Sequence, residues 1–447
     1  MIYKTKRCHW IILCCLVSLG ALAQDSSMLK PGLNWNLQDC INYAKKNNIQ
    51  INTLRLSQQI NYQDLLLAKA AKYPNLFGNV GQSFTHSTNA NPVVGGFQTQ
   101  SSFSSSYSLT SAWTIYNGGY LNYNIKLQNL DLQSAALNVT VAVNSLILQI
   151  TTDYLNILLA KENIVYVEDL VKTSQAQWDQ GKQQYNAGSI AKNALTELEA
   201  QNATDKYNLV TAQGMYRQNV LNLKQLLELP SGYTMEIAVP DTIIATALVP
   251  SLEEAQTQAL ATRPEIKNAA IDVDEAKMNL RIAKAMLFPV ASINSGLASG
   301  YSNNQNIEYL KQLDNNFYQR IGLTLSIPIF NNRIYRTQIE VSKIEIDQAN
   351  LAFLGTKVTL SQEVEQAYIS VLNAQAQYDA AVVNLKASQE SYRVANEQFK
   401  VGAANLVDLL QQKNLYVQAL QAYIQAKYNA ALNIAIYNFY RGEPVKL

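Results

Sequence analysis

Histidine and cysteine side chains carry much of the nucleophilic, acid–base and metal chemistry of proteins. This chain of 447 residues contains only four cysteines and two histidines. A Ser-His-Asp or Cys-His catalytic site needs a histidine beside its nucleophile, and a His/Cys zinc site needs three or four ligands. The positions of these six residues therefore decide which chemistry is available.

The first 23 residues are organised as a secretory signal peptide. A basic segment, Lys4 to Arg7, precedes an apolar segment at 11–22, and Ala21-Leu22-Ala23 is a small-x-small cleavage site. The apolar segment is too short for a comfortable membrane anchor, and no run of 18 apolar residues follows it. We expect cleavage before Gln24. Cleavage removes three basic and no acidic residues, which changes the formal charge from +2 to −1.

Only Cys40 and His86 remain after cleavage. We expect Cys40 to be a small buried hydrophobe and His86, in a Ser/Thr/Asn-rich stretch, to lie in a surface loop. One thiol cannot form an intramolecular disulfide, and the pair cannot assemble a zinc site. The balanced charge provides no basic patch for nucleic acid. The sequence therefore predicts no enzyme, no cofactor and no nucleic-acid partner.

An internal repeat organises the remaining chain. Ala68-Lys69-Ala70 recurs as Ala283-Lys284-Ala285 at an offset of 215, and after a loop Gly188 recurs as Gly402 at an offset of 214. Further matches are Leu37 with Leu252, Pro74 with Pro289, Tyr154 with Tyr368 and Pro230 with Pro444. The period is far too long for a solenoid. We therefore predict two copies of one unit, at 37–230 and 252–444, joined by a linker at 231–251.

Each predicted unit contains a first helix, two strands, a very long helix and a last helix. The first helices cover 37–73 and 252–288 and end at prolines. The long helices cover 120–186 and 334–400, and each would extend roughly 100 Å at ~1.5 Å per residue. After Gly188 and Gly402 the chain reverses into helices at 190–229 and 404–440, so each unit contains a hairpin with a glycine at its tip.

The predicted strands alternate between polar and apolar residues. Even positions from Ser102 to Tyr116 are mostly serine and threonine, whereas odd positions include Phe103, Leu109 and Trp113. The stretch 317–329 alternates in the same way, and weaker strands precede both at 76–87 and 290–301. Alternation over more than about ten residues is typical of a transmembrane β-strand. Four strands cannot close a barrel, and an open sheet edge is not tolerated in lipid, so several chains must contribute.

This duplicated order resembles the TolC family of outer membrane factors. The residues that carry the resemblance are Tyr73-Pro74 and Phe288-Pro289, the segment Pro328 to Asn332, and the glycine-containing tips Tyr185 to Gly188 and Phe399 to Gly402. The resemblance covers essentially the whole chain from 24 to 447. It implies a mainly α fold with a membrane β-barrel at about 76–119 and 290–333.

The resemblance further implies a homotrimer, in which a 12-strand β-barrel in the outer membrane lipid continues as a 12-helix coiled-coil tunnel across the periplasm. The implied function is a passive exit duct of a tripartite efflux pump or type I secretion system. Its implied partners are a periplasmic adaptor (membrane fusion protein) and an inner-membrane transporter of the RND, ABC or MFS type. The alternative is a periplasmic coiled-coil structural or adaptor protein; an exported enzyme would have to use His86.

Two groups of site residues follow from the resemblance. Adaptors in the family dock near the hairpin tips, here Ala187-Gly188-Ser189 and Val401-Gly402-Ala403, although each glycine also suits a helix C-cap. The family narrows its periplasmic entrance with acidic residues, and Asp408 occupies the matching position with Gln411 one turn later. Three copies of Asp408 would form a carboxylate ring. Equally, Asn405 and Asp408 could form a variant of the capping box.

Polar links that lock the closed entrance in this family are not evident here. The corresponding positions hold apolar residues, which are Ala194, Phe399 and Ala404. We therefore expect a different or weaker lock in the closed state.

Overall fold

The computed structural model describes residues 34–90, 95–240 and 242–444. The signal peptide expected at 1–23 lies outside these residues. Two 67-residue helices, α3 and α8, dominate the described chain and confirm the predicted long helices. The helices of the described residues are α1 Leu37–Asn47, α2 Ile49–Ala70, α3 Tyr120–Asn186, α4 Lys192–Leu226, α5 Leu252–Thr262, α6 Pro264–Ala285, α7 Tyr309–Asn315, α8 Ile334–Lys400 and α9 Leu406–Tyr440.

Each predicted first helix is two helices in the structure. Asn48 separates α1 from α2, and its side chain accepts a hydrogen bond of 3.0 Å from the backbone N–H of Ile51. Arg263 separates α5 from α6 at the equivalent place in the second unit, and Pro264 is the first residue of α6. The prediction of continuous helices is wrong because a capping asparagine and a proline each start a new helix at these points.

The strands form one antiparallel sheet in the order β2-β3-β5-β6, and a separate two-residue strand pair lies elsewhere. The strands are β1 Asn34–Trp35, β2 Phe77–Ala90, β3 Phe97–Asn117, β4 Glu236–Ile237, β5 Val290–Ser302 and β6 Tyr318–Ser326. His86 lies inside β2, paired with Ser101, so the expectation of a surface loop is wrong. The short helix α7, which the sequence pattern did not predict, connects β5 to β6.

The sheet has one apolar and one polar face, and the strand register aligns these faces across all four strands. One row of paired residues runs from Trp113 through Ile293 to Leu323. The opposite face carries Thr110, Gly296 and Arg320 in register, with serines and asparagines above and below. Every position of β6 and nearly every position of β2 is exposed in the single chain. The long helices therefore leave both faces open, and the short helix α7 packs against β5.

At the end of β3, a β-bulge interrupts the predicted alternation of polar and apolar residues. The register shifts between Thr114 and Tyr116, so that Thr114 pairs with Ser292 on the polar face while Tyr116 pairs with Ala291 on the apolar face. Tyr116 was predicted on the polar face. The extra residue, Ile115, shifts the alternation by one position, so that the residue after it faces the opposite side of the sheet.

The helices extend from the sheet in the same order as their strands. Next to the sheet, α2 packs against α3, α3 against α6, and α6 against α8. Farther away, α3 pairs with α4 and α8 with α9 as two hairpins, and α9 contacts α3. By length and composition, α3 is the one described helix with an 18-residue window apolar enough to cross a membrane, although only 11% of that window is buried. Helices α2, α4 and α6 pack against α3 along its length.

The described residues of the linker at 231–251 pack against α3 and α9. Tyr154 in α3 donates a hydrogen bond of 2.7 Å to the carbonyl of Ala238, and Tyr437 in α9 donates one of 2.8 Å to the carbonyl of Pro250. Cys40 is fully buried in the core beside this region, as predicted, and burial raises the pKa of its thiol to about 12. The linker is therefore part of the core rather than a loose connection.

Candidate functional site

The two hairpin tips have the same backbone geometry. After α3, Gly188 N donates to Tyr185 O at 2.9 Å and Ser189 N donates to Gln184 O at 2.8 Å. This pair of hydrogen bonds is the Schellman motif, which satisfies the last carbonyls of a helix. Gly188 has a φ of +75°, a left-handed conformation that favours glycine.

The second tip repeats this arrangement. Gly402 N donates to Phe399 O at 3.1 Å, Ala403 N donates to Gln398 O at 2.8 Å, and Gly402 has a φ of +77°. Ala187, Ser189, Val401 and Ala403 are all exposed. The C-cap role of both glycines is therefore confirmed, and the exposed residues around them remain available to a partner.

Asp408 and Gln411 lie on the first two turns of α9, and both are exposed. The side chain of Asn405 caps this helix by accepting a hydrogen bond of 2.8 Å from Asp408 N. A complete capping box occurs at α1, where Asp39 also accepts a hydrogen bond of 3.3 Å from Asn36 N. Within the described residues the Asp408 carboxylate has no such partner, so only half of the box is formed at α9.

The four helices that meet above the tips pack through an apolar cluster. Its buried members are Leu198 of α4, Ala395 of α8 and Leu406 and Leu409 of α9. Among the half-buried side chains against it are those of Trp178, Ala194, Tyr392, Phe399 and Leu410. Two positions expected to lack a polar link, Ala194 and Phe399, therefore contribute apolar packing.

A buried polar layer lies next to this cluster, farther from the tips. Lys413 Nζ in α9 and Asp205 Oδ2 in α4 form an ion pair of 2.5 Å, with side chains only 1% and 6% exposed. Gln201 donates a second hydrogen bond of 2.9 Å to Asp205 Oδ1. This ion pair joins the first hairpin to the second.

Further hydrogen bonds complete the polar layer. Gln177 in α3 donates to Asn396 of α8 at 3.0 Å, and the buried Asn202 donates to Ser174 at 3.2 Å. Sequence reasoning missed the Lys413–Asp205 pair. One signal was present, because Lys413 occupies the apolar seam of α9 between Leu409 and Leu420. A charge in such a seam position indicates a buried partner.

No group of three or more His, Cys, Asp or Glu side chains within 34–90, 95–240 and 242–444 could hold a metal ion. The polar layer instead consists of one ion pair and neutral amide and hydroxyl groups joined by hydrogen bonds, and the buried Oε1 of Gln177 has no partner among the described residues. Such an arrangement can hold helices together.

Comparison with known proteins agrees with this architecture. The profile of the family described as "Outer membrane efflux protein" matches residues 40–228 and 256–435. "Outer membrane protein TolC" of Vibrio cholerae serotype O1 is 23% identical over 417 residues, which cover 89% of each chain. "Outer membrane efflux protein BepC" of Brucella suis biovar 1 is 24% identical over 441 residues, covering 96% of this chain and 89% of that one.

Solved structures share the fold at low identity. A CusC structure superimposes with a TM-score of 0.78 at 18% identity, covering 93% of this chain and 96% of the other. The open state of the MtrE outer membrane channel of Neisseria gonorrhoeae gives a TM-score of 0.77 at 20% identity, covering 92% and 89%.

Proposed function

The chain belongs to the outer membrane efflux protein family, and we propose that three copies of it assemble into one continuous duct. As a member of this family it is an outer-membrane channel of an efflux system and not an enzyme. A periplasmic scaffold or adaptor, the alternative suggested by the sequence, does not agree with this membership.

The open edges and the open apolar face of the four-stranded sheet support the proposed trimer. Its apolar face and its edge strands β2 and β6 are open in a single chain. Unpaired strand edges are not tolerated in lipid, so β6 must pair with β2 of another copy. Three copies would supply twelve strands, with the apolar face toward lipid and the serine-rich face toward a wet lumen.

The helices near the open edges support the same assembly. We call the four helices next to the sheet, α2, α3, α6 and α8, the upper bundle, and its outermost helices are α2 and α8. Both expose large apolar side chains, including Leu56 and Ile60 in α2 and Leu351 and Leu354 in α8. Exposed apolar patches of this kind mark protein interfaces. Association of α8 with α2 of the next copy would close a tunnel of twelve helices below the barrel.

The duct would be passive, and its partners would supply energy and substrate. A periplasmic adaptor would dock at the exposed tip residues Ala187-Gly188-Ser189 and Val401-Gly402-Ala403 and connect the duct to an inner-membrane transporter. That transporter would be of the RND, ABC or MFS type. The same arrangement would serve either drug efflux or type I secretion.

The entrance would be controlled at two levels. Three copies of the exposed Asp408 would form a carboxylate ring that favours cations, with Gln411 as its neutral neighbour one turn later. Above it, the Lys413–Asp205 ion pair would hold the second hairpin against the first. We infer that this buried pair serves as the lock of the closed entrance.

Single-channel recording in planar bilayers tests the assembly and the ring together. We expect the wild-type protein to form a cation-preferring pore, Asp408→Asn to reduce that preference, and Gln411→Asp to increase it. Glu253→Gln removes an exposed carboxylate from α5 and is the matched control. An unchanged cation preference in Asp408→Asn would refute the ring. A monomer on unheated gels would refute the trimeric duct.

A further inference from the structure

Basic residues are concentrated where the helices meet the sheet. The four junction segments 67–76, 118–128, 279–289 and 327–339 contain seven basic and no acidic residues, although the whole chain has 35 basic and 33 acidic ones. We call the seven the junction collar, which consists of Lys69, Lys72, Lys126, Arg281, Lys284, Arg333 and Arg336. All seven are exposed.

No acidic side chain of the described residues forms an ion pair with the collar. None of the seven takes part in the ion pairs of residues 34–90, 95–240 and 242–444. The nearest acidic residue on α8, Glu340, pairs instead with Lys343 at 2.8 Å. Arg281 lies 5.9 Å from the ring of Tyr123, a contact that leaves its charge intact. The collar therefore presents uncompensated positive charge.

Helix dipoles explain only part of this pattern. Lys69 and Lys284 lie in the last turns of α2 and α6, where cations are favourable. Arg333, however, is the N-cap residue of α8, and Arg336 lies in its first turn, where the dipole disfavours cations. These two arginines therefore indicate an anionic partner outside the chain.

Apolar groups lie beside part of the collar. The indole N–H of Trp113, a residue of the apolar face, donates a hydrogen bond of 2.8 Å to the carbonyl of Lys72. Arg333 and Arg336 line a groove of about 820 Å³ together with Ile329 and Phe330, whose side chains are 93% and 85% exposed. Glu340, which pairs with Lys343, also lines this groove. Apolar surface beside unpaired cations matches an acyl chain joined to a phosphate.

We propose that the junction collar binds the anionic headgroups of phospholipids in the periplasmic leaflet of the outer membrane. The inference rests on the proposed function, because the sheet must be inserted in that membrane for the collar to lie at its surface. Cations at a membrane surface attract anionic lipids, and aromatic residues such as Tyr73 and Phe288, both exposed at the junction, favour the same interface. The collar would fix how deeply the barrel sits.

Fluorescence quenching of Trp113 by brominated lipids tests this proposal in the full-length trimer. The protein is reconstituted in phosphatidylcholine vesicles that contain phosphatidylglycerol, with the bromine on one lipid or the other. One cation near a membrane surface corresponds to roughly a five-fold preference for anionic lipid, so we expect at least that preference at Trp113. We expect it to weaken in high salt, because the attraction is electrostatic. Trp113→Phe gives the background signal.

Two triple variants separate the collar from total charge. Lys72→Gln/Arg333→Gln/Arg336→Gln should bring the lipid preference close to one. The matched control Lys172→Gln/Lys267→Gln/Lys386→Gln removes three exposed lysines away from the junction and should leave the preference unchanged. A wild-type preference that both high salt and the collar variant abolish would support the proposal.

Three results would overturn the inference. A conducting trimer whose Trp113 is quenched equally by both lipids would refute the collar and leave the duct intact. A collar variant that changes ion selectivity without changing the lipid preference would assign these cations to the lumen. A protein that forms no trimer and shows no quenching by either lipid would refute both the collar and the proposed function.

Discussion

The buried ion pair between Lys413 and Asp205 provides the sharpest test of how the two hairpins are held together. Its atoms lie 2.5 Å apart, and its side chains are 1% and 6% exposed. Lys413→Met removes the cation while keeping an unbranched side chain. Asp205 then keeps only the hydrogen bond from Gln201, at 2.9 Å.

The expected cost follows from burial. Removing one partner of a buried pair leaves an uncompensated charge and costs about 3–5 kcal/mol. Replacing both partners by apolar residues, as in Lys413→Met/Asp205→Leu, is expected to leave stability unchanged or to raise it by about 1–4 kcal/mol, because no charge is then buried. The exposed pair Lys400–Glu397, with side chains 48% and 57% exposed, is the control. Glu397→Gln should cost less than about 1 kcal/mol.

Urea unfolding in detergent, followed by circular dichroism, measures these differences per protomer. Single-channel recording of the same variants measures how often the entrance opens, which we expect to increase in Lys413→Met. If Lys413→Met costs no more than Glu397→Gln, the interpretation of a buried, desolvated pair is wrong. If its stability falls but channel opening does not change, the pair is structural and does not lock the entrance.

Two further predictions concern the tips and the upper bundle. Gly188→Ala and Gly402→Ala should each lower the free energy of unfolding in urea by about 1–2 kcal/mol, because both glycines have a left-handed backbone. The control Gly214→Ala within α4 should raise it by about 0.5–1 kcal/mol. Equal effects of the three substitutions would contradict this. Burial, and then the nearby Asp131, raise the pKa of Glu275 from 4.5 to about 7. Its contribution to stability is therefore present below pH 4.5 and lost as the pH rises through 7. Glu275→Gln should remove this dependence and stabilise the protein at pH 8 by about 1 kcal/mol after solvent screening, and an unchanged pH profile of the melting temperature would refute it.

Much of the fold could be predicted because its signals are local. The 67-residue helices, the alternating strands and the glycine tips each depend on residues within a few positions of one another. The same locality explains the errors. Asn48 ends a helix by capping the next one, and Ile115 shifts the strand parity by one residue. Both effects depend on local backbone geometry, which cannot be predicted from the spacing of apolar residues.

The candidate site was predictable only in part. The tips and Asp408 could be located by resemblance, since they stand at fixed places beside the turn glycines. The choice between a ring and a capping box could not be made, because both use the same residues. In the structure Asn405 caps the helix at 2.8 Å while the Asp408 carboxylate has no partner within the described residues. The cap and a free carboxylate therefore coexist.

The sequence by itself determined the duplicated unit, its rod-like hairpins and its amphipathic strands, because hydrophobic period and turn residues act over short distances. Only the tertiary structure decided that Lys413 meets Asp205, 208 positions earlier in the chain. It also decided that the linker packs into the core and that Trp113 reaches Lys72. These contacts depend on how four long helices and a sheet cross one another, and that arrangement is set by the packing of the whole chain.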